Sequence, residues 1–231
     1  IRTPNAWLSK AVNVINRWFI RRYDALWIPD LAAGGGLAGA LSHPGLPGGR
    51  YIGLLSRMKQ LEVPERYDVV AVLSGPEPQR TILEELILEQ AKGLEVRMLV
   101  VRGKIELASP LLSPSLPLSL PLSPSLSLND QMSAAKVMLS RSGYSTLMDL
   151  ARIGKPAILI PTPGQTEQEY LAEYWSDKGA FSVWTQETFD LKKALAEADN
   201  LKGLDPAHFP EGGLSETIAE LIAGLQPENV R

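Results

Sequence analysis

The sequence predicts an α/β protein built on a Rossmann-like, doubly wound parallel sheet. Two observations carry this. From Tyr67 onward, short apolar runs alternate with segments of helical period, and a β-α-β order of this kind builds parallel sheets. The helical segments also stop at glycines, Gly93, Gly154 and Gly179, before the next apolar run begins.

Taken in order, residues 5–22 place Leu8, Ala11, Val12, Ile15, Trp18 and Phe19 at helical spacing, with Lys10, Asn13, Arg17 and Arg21 on other sides. This amphipathic helix suits packing against another domain or lying on a membrane surface. "DALWIPD" reads as a short strand, "LAAGGGLAGALSHPGLPGG" as a Gly/Pro-rich loop or linker, and "RYIGLLSR" as a second extended piece. A domain boundary is expected near residues 50–60. "YDVVAVLSG" is then a buried strand, "QRTILEELILEQAKG" a helix and "LEVRMLVVRG" a strand. "KVMLSRSG" and "PAILIPTPG" are strands followed by the helices "STLMDLARIG" and "TEQEYLAEYWSDKG". "AFSVWT" is the last strand, with helices near 187–198 and 213–225.

Residues 107–129 are built almost wholly from Leu, Ser and Pro. Pro110, Pro114, Pro117, Pro121 and Pro124 remove backbone donors throughout, so the uncharged run is an extended or mobile Pro-rich segment and not a transmembrane helix.

The 231 residues are 45% hydrophobic and 21% charged, as in an ordinary globular protein able to bury a core. A net charge of −3 lacks the basic surplus that phosphate neutralisation requires, so nucleic acid is not an expected partner. The absence of cysteine removes disulfides and thiolate chemistry and makes the cytoplasm the default compartment. The first residue is Ile1, and the opening lacks a secretory pattern, so the sequence reads as a cut from a longer chain.

In an open α/β sheet, ligands bind beyond the carboxyl ends of the strands, where helix N-termini direct unpaired N–H groups outward. Two junctions lie there. In the first, Gly143 lets backbone approach a bound group, and Ser145 and Thr146 either cap the helix or donate hydroxyls to phosphate. Asp149 either accepts hydrogen bonds from a vicinal diol such as ribose or stabilises the helix through its dipole. In the second junction, Gln165, Thr166, Glu167, Gln168 and Glu169 open a helix. Thr166 and Glu169 fit a capping box; Gln168 does not, and amides beside carboxylates suit the hydroxyls of a sugar.

The loop "LSGPEPQR" is a poor phosphate cradle by itself, with neither G-x-G-x-x-G nor G-x-x-x-x-G-K. That argues against a dinucleotide dehydrogenase and a P-loop NTPase. No D-x-D pair asks for a metal, and His43 and His208 read as surface residues outside any catalytic triad.

The stretch "SRSGYSTLMDLARIGKPAILIPTPGQTEQEYLAEY" resembles the C-terminal, donor-binding domain of the family 28 glycosyltransferases. The best-known member adds N-acetylglucosamine to a lipid-linked peptidoglycan intermediate. The likeness is dense over 136–180 and weaker over 67–102, and it joins R-S-G-x-x-T-x-x-[DE]-L to a downstream Q-E-Y. The resemblance implies a GT-B architecture of two Rossmann-like domains, with a UDP-sugar bound mostly by the second and no cofactor besides that donor. Residues 1–55 would then be the tail of an N-terminal domain plus a linker, and 56–231 the donor domain.

By the same resemblance, Gly143, Tyr144, Ser145 and Thr146 match the helix start that faces the donor diphosphate, Arg141 and Ser142 are counted with them among the donor-binding residues, and Asp149 stands where the family usually has a ribose-binding Glu. Gln168 and Glu169 replace a Gln-Gln pair at the donor sugar, and "SGPEPQ" replaces a glycine-rich loop, leaving Gly75 and Glu77 as its phosphate contacts. The acceptor site and catalytic base belong to the N-terminal domain, so the chain alone is expected to be inactive. Direct displacement at the anomeric carbon is the expected chemistry, on the cytoplasmic side and with peripheral contact at the inner face of the membrane. A nucleotide-sugar epimerase of related shape, and a non-catalytic module for protein contact or membrane recruitment, are the alternatives.

Overall fold

The computed structural model describes residues 6–43, 45, 48–102, 118–120, 127–210 and 212–224. They divide into two compact units, one of residues 1–55 with 209–231 and one of residues 56–208. The sequence reading runs the second domain to residue 231, whereas this division groups the final helix with the first unit. No described helix is long and apolar enough to cross a membrane.

The first unit begins with helix α1 (Ala6–Ile20), which leaves Val14, Ile15, Trp18 and Phe19 exposed. The guanidinium of Arg22 lies 3.5 Å from the centre of the Trp18 ring. Strands β1 (Leu26–Ile28) and β2 (Gly49–Tyr51) pair in parallel. Between them the buried carboxylate of Asp30 accepts hydrogen bonds from the backbone N–H groups of Leu31, Leu37 and Ala38, at 2.8, 2.8 and 3.1 Å. Three charge-assisted bonds offset the desolvation of that carboxylate and fix the glycine run around it. His43, expected at the surface, is half-buried, its Nδ1 2.9 Å from the Gly39 carbonyl and its ring 5.1 Å from that of Tyr51.

The second unit carries a six-stranded sheet. Its elements, after β2, are β3 (Tyr67–Leu73), α2 (Gln79–Ala91), β4 (Met98–Arg102), β5 (Leu118–Leu120), α3 (Leu128–Ser133), β6 (Ala135–Ser140), α4 (Tyr144–Ile153), β7 (Ala157–Leu159), α5 (Thr166–Ser176), β8 (Phe181–Val183) and α6 (Leu191–Ala198). Helix α7 (Leu214–Gly224) belongs to the first unit. The strand order is β5-β4-β3-β6-β7-β8 with every pairing parallel, the doubly wound order expected.

The central strand β3 reads as a near-continuous apolar run because both faces are covered. Val69, Ala71 and Leu73 pack with Val100, Leu139 and Ile158 against Leu83, Ile87 and Ala91 of α2 and Leu191, Ala194 and Ala198 of α6. Val70, Leu99 and Met138, on the opposite face, are equally buried. The four-residue spacing in α2 and the near-equal one in α6 are the stripes by which these helices meet the sheet.

Most of the Leu/Ser/Pro segment lies outside the described residues. Within it, Leu118–Leu120 form edge strand β5, paired with Leu99–Val101. Helix α3, which the sequence reading did not include, begins at Ser127 with a reciprocal capping box. Ser127 Oγ accepts from the Asp130 N–H, and the Asp130 carboxylate accepts from the Ser127 N–H, both at 3.1 Å.

Helix α4 ends at Gly154 in the left-handed region, φ +75°, with its N–H donating to Leu150 O at 2.9 Å. A Cβ there would lie 2.8 Å from Pro206 Cγ, so both backbone and space demand glycine. Gly154→Ala is expected to destabilise the protein by about 2 kcal/mol, measured by urea unfolding.

Candidate functional site

Three strand-to-helix loops lie side by side at the carboxyl edge of the sheet: 74–78 after β3, 141–143 after β6, and 160–165 after β7. The chain leaves β3 toward β4 and β5 on one side and returns to β6 on the other, so the topological switch point falls between β3 and β6. Open α/β sheets bind ligands at such a crevice.

Arg141, the first residue after β6, is 1% exposed. Its NH1 donates to the carbonyls of Ile160 at 3.3 Å and Pro161 at 3.1 Å; its NH2 donates to Gln79 O at 2.7 Å and Gln186 Oε1 at 2.8 Å. All four acceptors are carbonyl oxygens, and burial pulls the guanidinium down to about 10, still charged at neutral pH. Expected among the donor-binding residues, Arg141 turns inward and ties the end of β7, the start of α2 and the segment after β8 together. Ser142, fully buried, donates from Oγ to Gln168 O at 2.8 Å and so links the first junction to the second.

Gly143 is the N-cap of α4, with φ −72° and ψ 151°, and no side chain caps the helix. Ser145 and Thr146, considered above as caps, are therefore residues inside the first turn. The Gly143 conformation is open to any residue. What its missing Cβ gives is room, since an added Cβ would meet only Thr146 Oγ1, at 3.8 Å. Ser145 is exposed, and Tyr144 and Thr146 are half-buried. A helix start without a side-chain cap, next to bare backbone, presents N–H donors and the positive end of the helix dipole to an anion.

Asp149 is the sixth residue of α4, and the first turn holds no acid, so the dipole explanation for it falls away. Its Oδ1 accepts from Ser56 Oγ at 2.6 Å. Burial pushes its pKa up, and the bond from Ser56 and the nearby charge of Arg57 act against that.

At the second junction the cap is Gln165, and it makes no side-chain cap bond. Thr166 is the first helical residue, so the expected Thr166/Glu169 capping box does not form. Glu169 Oε1 accepts instead from the Gly164 N–H at 2.8 Å. Gln168 turns inward: its Oε1 accepts from the Thr162 N–H at 2.9 Å and its Nε2 donates to Gln165 Oε1 at 2.6 Å. Thr166, Glu167 and Glu169 are exposed.

The third loop is capped by its own acid. Glu77 accepts from Arg80 at 2.7 Å and from the Thr81 N–H and Oγ1 at 3.2 and 2.8 Å. An ionised carboxylate so placed serves the start of α2 and has no hydrogen to offer a phosphate. Gly75, exposed at φ +102°, has open space where a Cβ would stand. Among the described residues no group of three His, Cys, Asp or Glu could hold a metal ion. Sequence reasoning missed Ser56, and it gave no signal for the inward roles of Arg141 and Gln168.

Arg141→Ala should lower stability by about 3 kcal/mol in chemical denaturation, because it removes the donors to carbonyl oxygens of three segments. Arg141→Lys should restore less than half of that, since one ammonium cannot span acceptors on three segments. Asp149→Asn has the opposite sign. An acid whose folded pKa is raised above its unfolded value contributes stability below the unfolded pKa and loses it as pH rises through the folded one. Near neutral pH the buried charge is a net cost, so the Asn variant should be more stable by up to about 1 kcal/mol at pH 7, with the gain vanishing at acid pH in thermal melts.

Residues 79–204 match the glycosyltransferase family 28 C-terminal domain. The chain is 30% identical over 167 residues to the UDP-N-acetylglucosamine–N-acetylmuramyl-(pentapeptide) pyrophosphoryl-undecaprenol N-acetylglucosamine transferase of Histophilus somni, covering 70% of this chain and 45% of the relative. It is 24% identical over 193 residues to the same enzyme of Pasteurella multocida, covering 83% and 51%. The chain thus spans about half the length of these relatives. The crystal structure of Acinetobacter baumannii MurG superposes with a TM-score of 0.58 at 17% identity, over 91% of this chain and 63% of that one, so the chain shares the fold of that part of a GT-B protein. By sequence and by fold, the chain belongs to the glycosyltransferase family 28 C-terminal domain family.

Proposed function

We propose that this chain is the donor-binding half of a glycosyltransferase that uses a UDP-sugar to transfer a hexose or N-acetylhexosamine. The observation that carries the reading is the start of α4: a helix N-terminus without a side-chain cap, bare at Gly143, at the switch point of the sheet and inside the family-matched residues. The relatives' names specify UDP-N-acetylglucosamine as donor.

In this reading the α4 amides hold the diphosphate, with Ser145 and Thr146 adding hydroxyl donors, and Asp149 accepts from the ribose. An acceptor hydroxyl oxygen attacks the anomeric carbon. The bond from that carbon to the β-phosphate oxygen breaks, and its electron pair leaves with UDP. Negative charge grows on the diphosphate as the bond opens, and oriented N–H groups that need no rearrangement stabilise it more than the ground state. The acceptor proton passes to a base contributed by the other half of the parent enzyme. Proximity alone accounts for about 7–11 kcal/mol of such a barrier, so the donor half by itself should bind and not turn over.

The exposed Val14, Ile15, Trp18 and Phe19 of α1, with Arg17, Arg21 and Arg22 beside them, support peripheral attachment at the cytoplasmic face of a membrane, where a lipid-borne acceptor would reside. Among the described residues no comparable feature favours an epimerase.

Calorimetric titration of the chain with UDP should show saturable binding, weakened at least about tenfold by the double substitution Thr146→Ala with Asp149→Ala. Equal binding by the double variant, or none by the unsubstituted chain up to millimolar UDP, would overturn the reading.

A further inference from the structure

Ser56 lies 93 positions before Asp149 in the chain, and its Oγ stands 2.6 Å from that carboxylate. A serine hydroxyl has one hydrogen and two acceptor positions. Here the hydrogen goes to Asp149 Oδ1, and one acceptor position takes the Met58 N–H at 3.0 Å. One acceptor position remains on Ser56 Oγ. On Asp149, Oδ2 and the rest of Oδ1 remain. Both residues are only half-buried, so the pair is open to a ligand.

The pair therefore offers adjacent acceptors and no donor. Phosphate, which needs donors, gains nothing there. Two neighbouring hydroxyls, each with a hydrogen to give, match it. We propose that Ser56 is a positioning and specificity residue of the donor site, which with Asp149 reads the vicinal diol of a ribose and selects ribonucleoside over 2′-deoxyribonucleoside diphosphates. This rests on the reading of Asp149 as facing the nucleotide. The bond from Ser56 fixes which carboxylate oxygen is engaged and which is left for the ligand. The Met58 N–H fixes the serine rotamer in turn, so the acceptors are arranged before the nucleotide arrives. A site whose polar groups are built around a ligand hydroxyl penalises the analogue that lacks it, because those groups are then desolvated without partners.

The test measures UDP and 2′-deoxy-UDP affinities by calorimetry for the unsubstituted chain, Ser56→Ala, Ser56→Thr and Ser56→Cys, with circular dichroism melts as the check on folding. The unsubstituted chain should prefer UDP by about tenfold or more. In Ser56→Ala the preference should fall to about twofold or less through weaker UDP binding alone, with 2′-deoxy-UDP unchanged. Ser56→Thr, which keeps the hydroxyl, should retain the preference; Ser56→Cys, similar in shape with a weak donor, should lose it. A Ser56→Ala chain that weakens both ligands equally, or keeps the full preference, overturns the role of Ser56 while leaving UDP binding intact. Failure of the folded, unsubstituted chain to bind UDP overturns the donor-site reading and this proposal with it.

Discussion

The carboxyl edge of this sheet is held by one buried guanidinium. Arg141 gathers carbonyl oxygens from the end of β7, the start of α2 and the segment beyond β8, three places separated by up to 107 residues between Gln79 and Gln186. Parallel strands bring their ends to one edge but do not fix the loops that follow them. A planar, permanently charged fork does so at low entropic cost, since its donors are already arranged. Burying that charge without a carboxylate partner is expensive, and its Nε has no hydrogen-bond partner. The expense is consistent with the position: an acid placed nearby to neutralise it would also repel an anion bound at the start of α4.

The two junctions divide their polar groups by direction. Arg141, Ser142, Gln165 and Gln168 bond within the protein and set the loops. At Gly143 no side-chain hydrogen bond caps α4, and the hydroxyls of Ser145 and Thr146 lie in its first turn. Capping that helix with its own side chain would stabilise it by about 1 kcal/mol. A cap of that kind would also occupy the donors an anion requires. The contrast with α3 in the same domain is direct, because its Ser127/Asp130 box engages two of its N-terminal N–H groups with its own side chains. The same alphabet of small polar residues makes a capped helix start away from the switch point and an open one beside it.

Much of the fold was legible because it depends on local pattern. The Val run of β3, the four-residue stripe of α2 and the terminal glycines Gly93, Gly154 and Gly179 are each explained by periodicity or by backbone freedom. Helix α3 carried a readable signal, S-x-x-D before an apolar stretch, obscured by the Leu/Ser/Pro run that leads into it. The candidate site was legible as a location and less so as a set of roles. Sequence places Arg141, Gln168 and Glu77 near the crevice, but whether a long polar side chain turns outward or inward is decided by carbonyls and amides from other elements. Gln168 turned to the Thr162 N–H, and Glu77 to Thr81 and Arg80. Neither choice is written in spacing along one helix.

Asp149 shows why such roles need the tertiary structure. In the sequence it is an acid near a helix start, for which a dipole explanation is sufficient. In the fold it sits past the first turn, where that explanation fails, and its pKa is raised by burial. A half-buried carboxylate kept at a cost, on the helix whose own start is left open, has the character of a group retained for something other than stability. Its partner Ser56 comes from the segment that enters the domain before β3, so no window on α4 contains both halves of the pair. The hydroxyl also lowers the cost of ionisation by donating to the charged form. A single bond thus works against the cost of burying the charge and directs the acceptors that stay free, and a reader of sugar hydroxyls needs both.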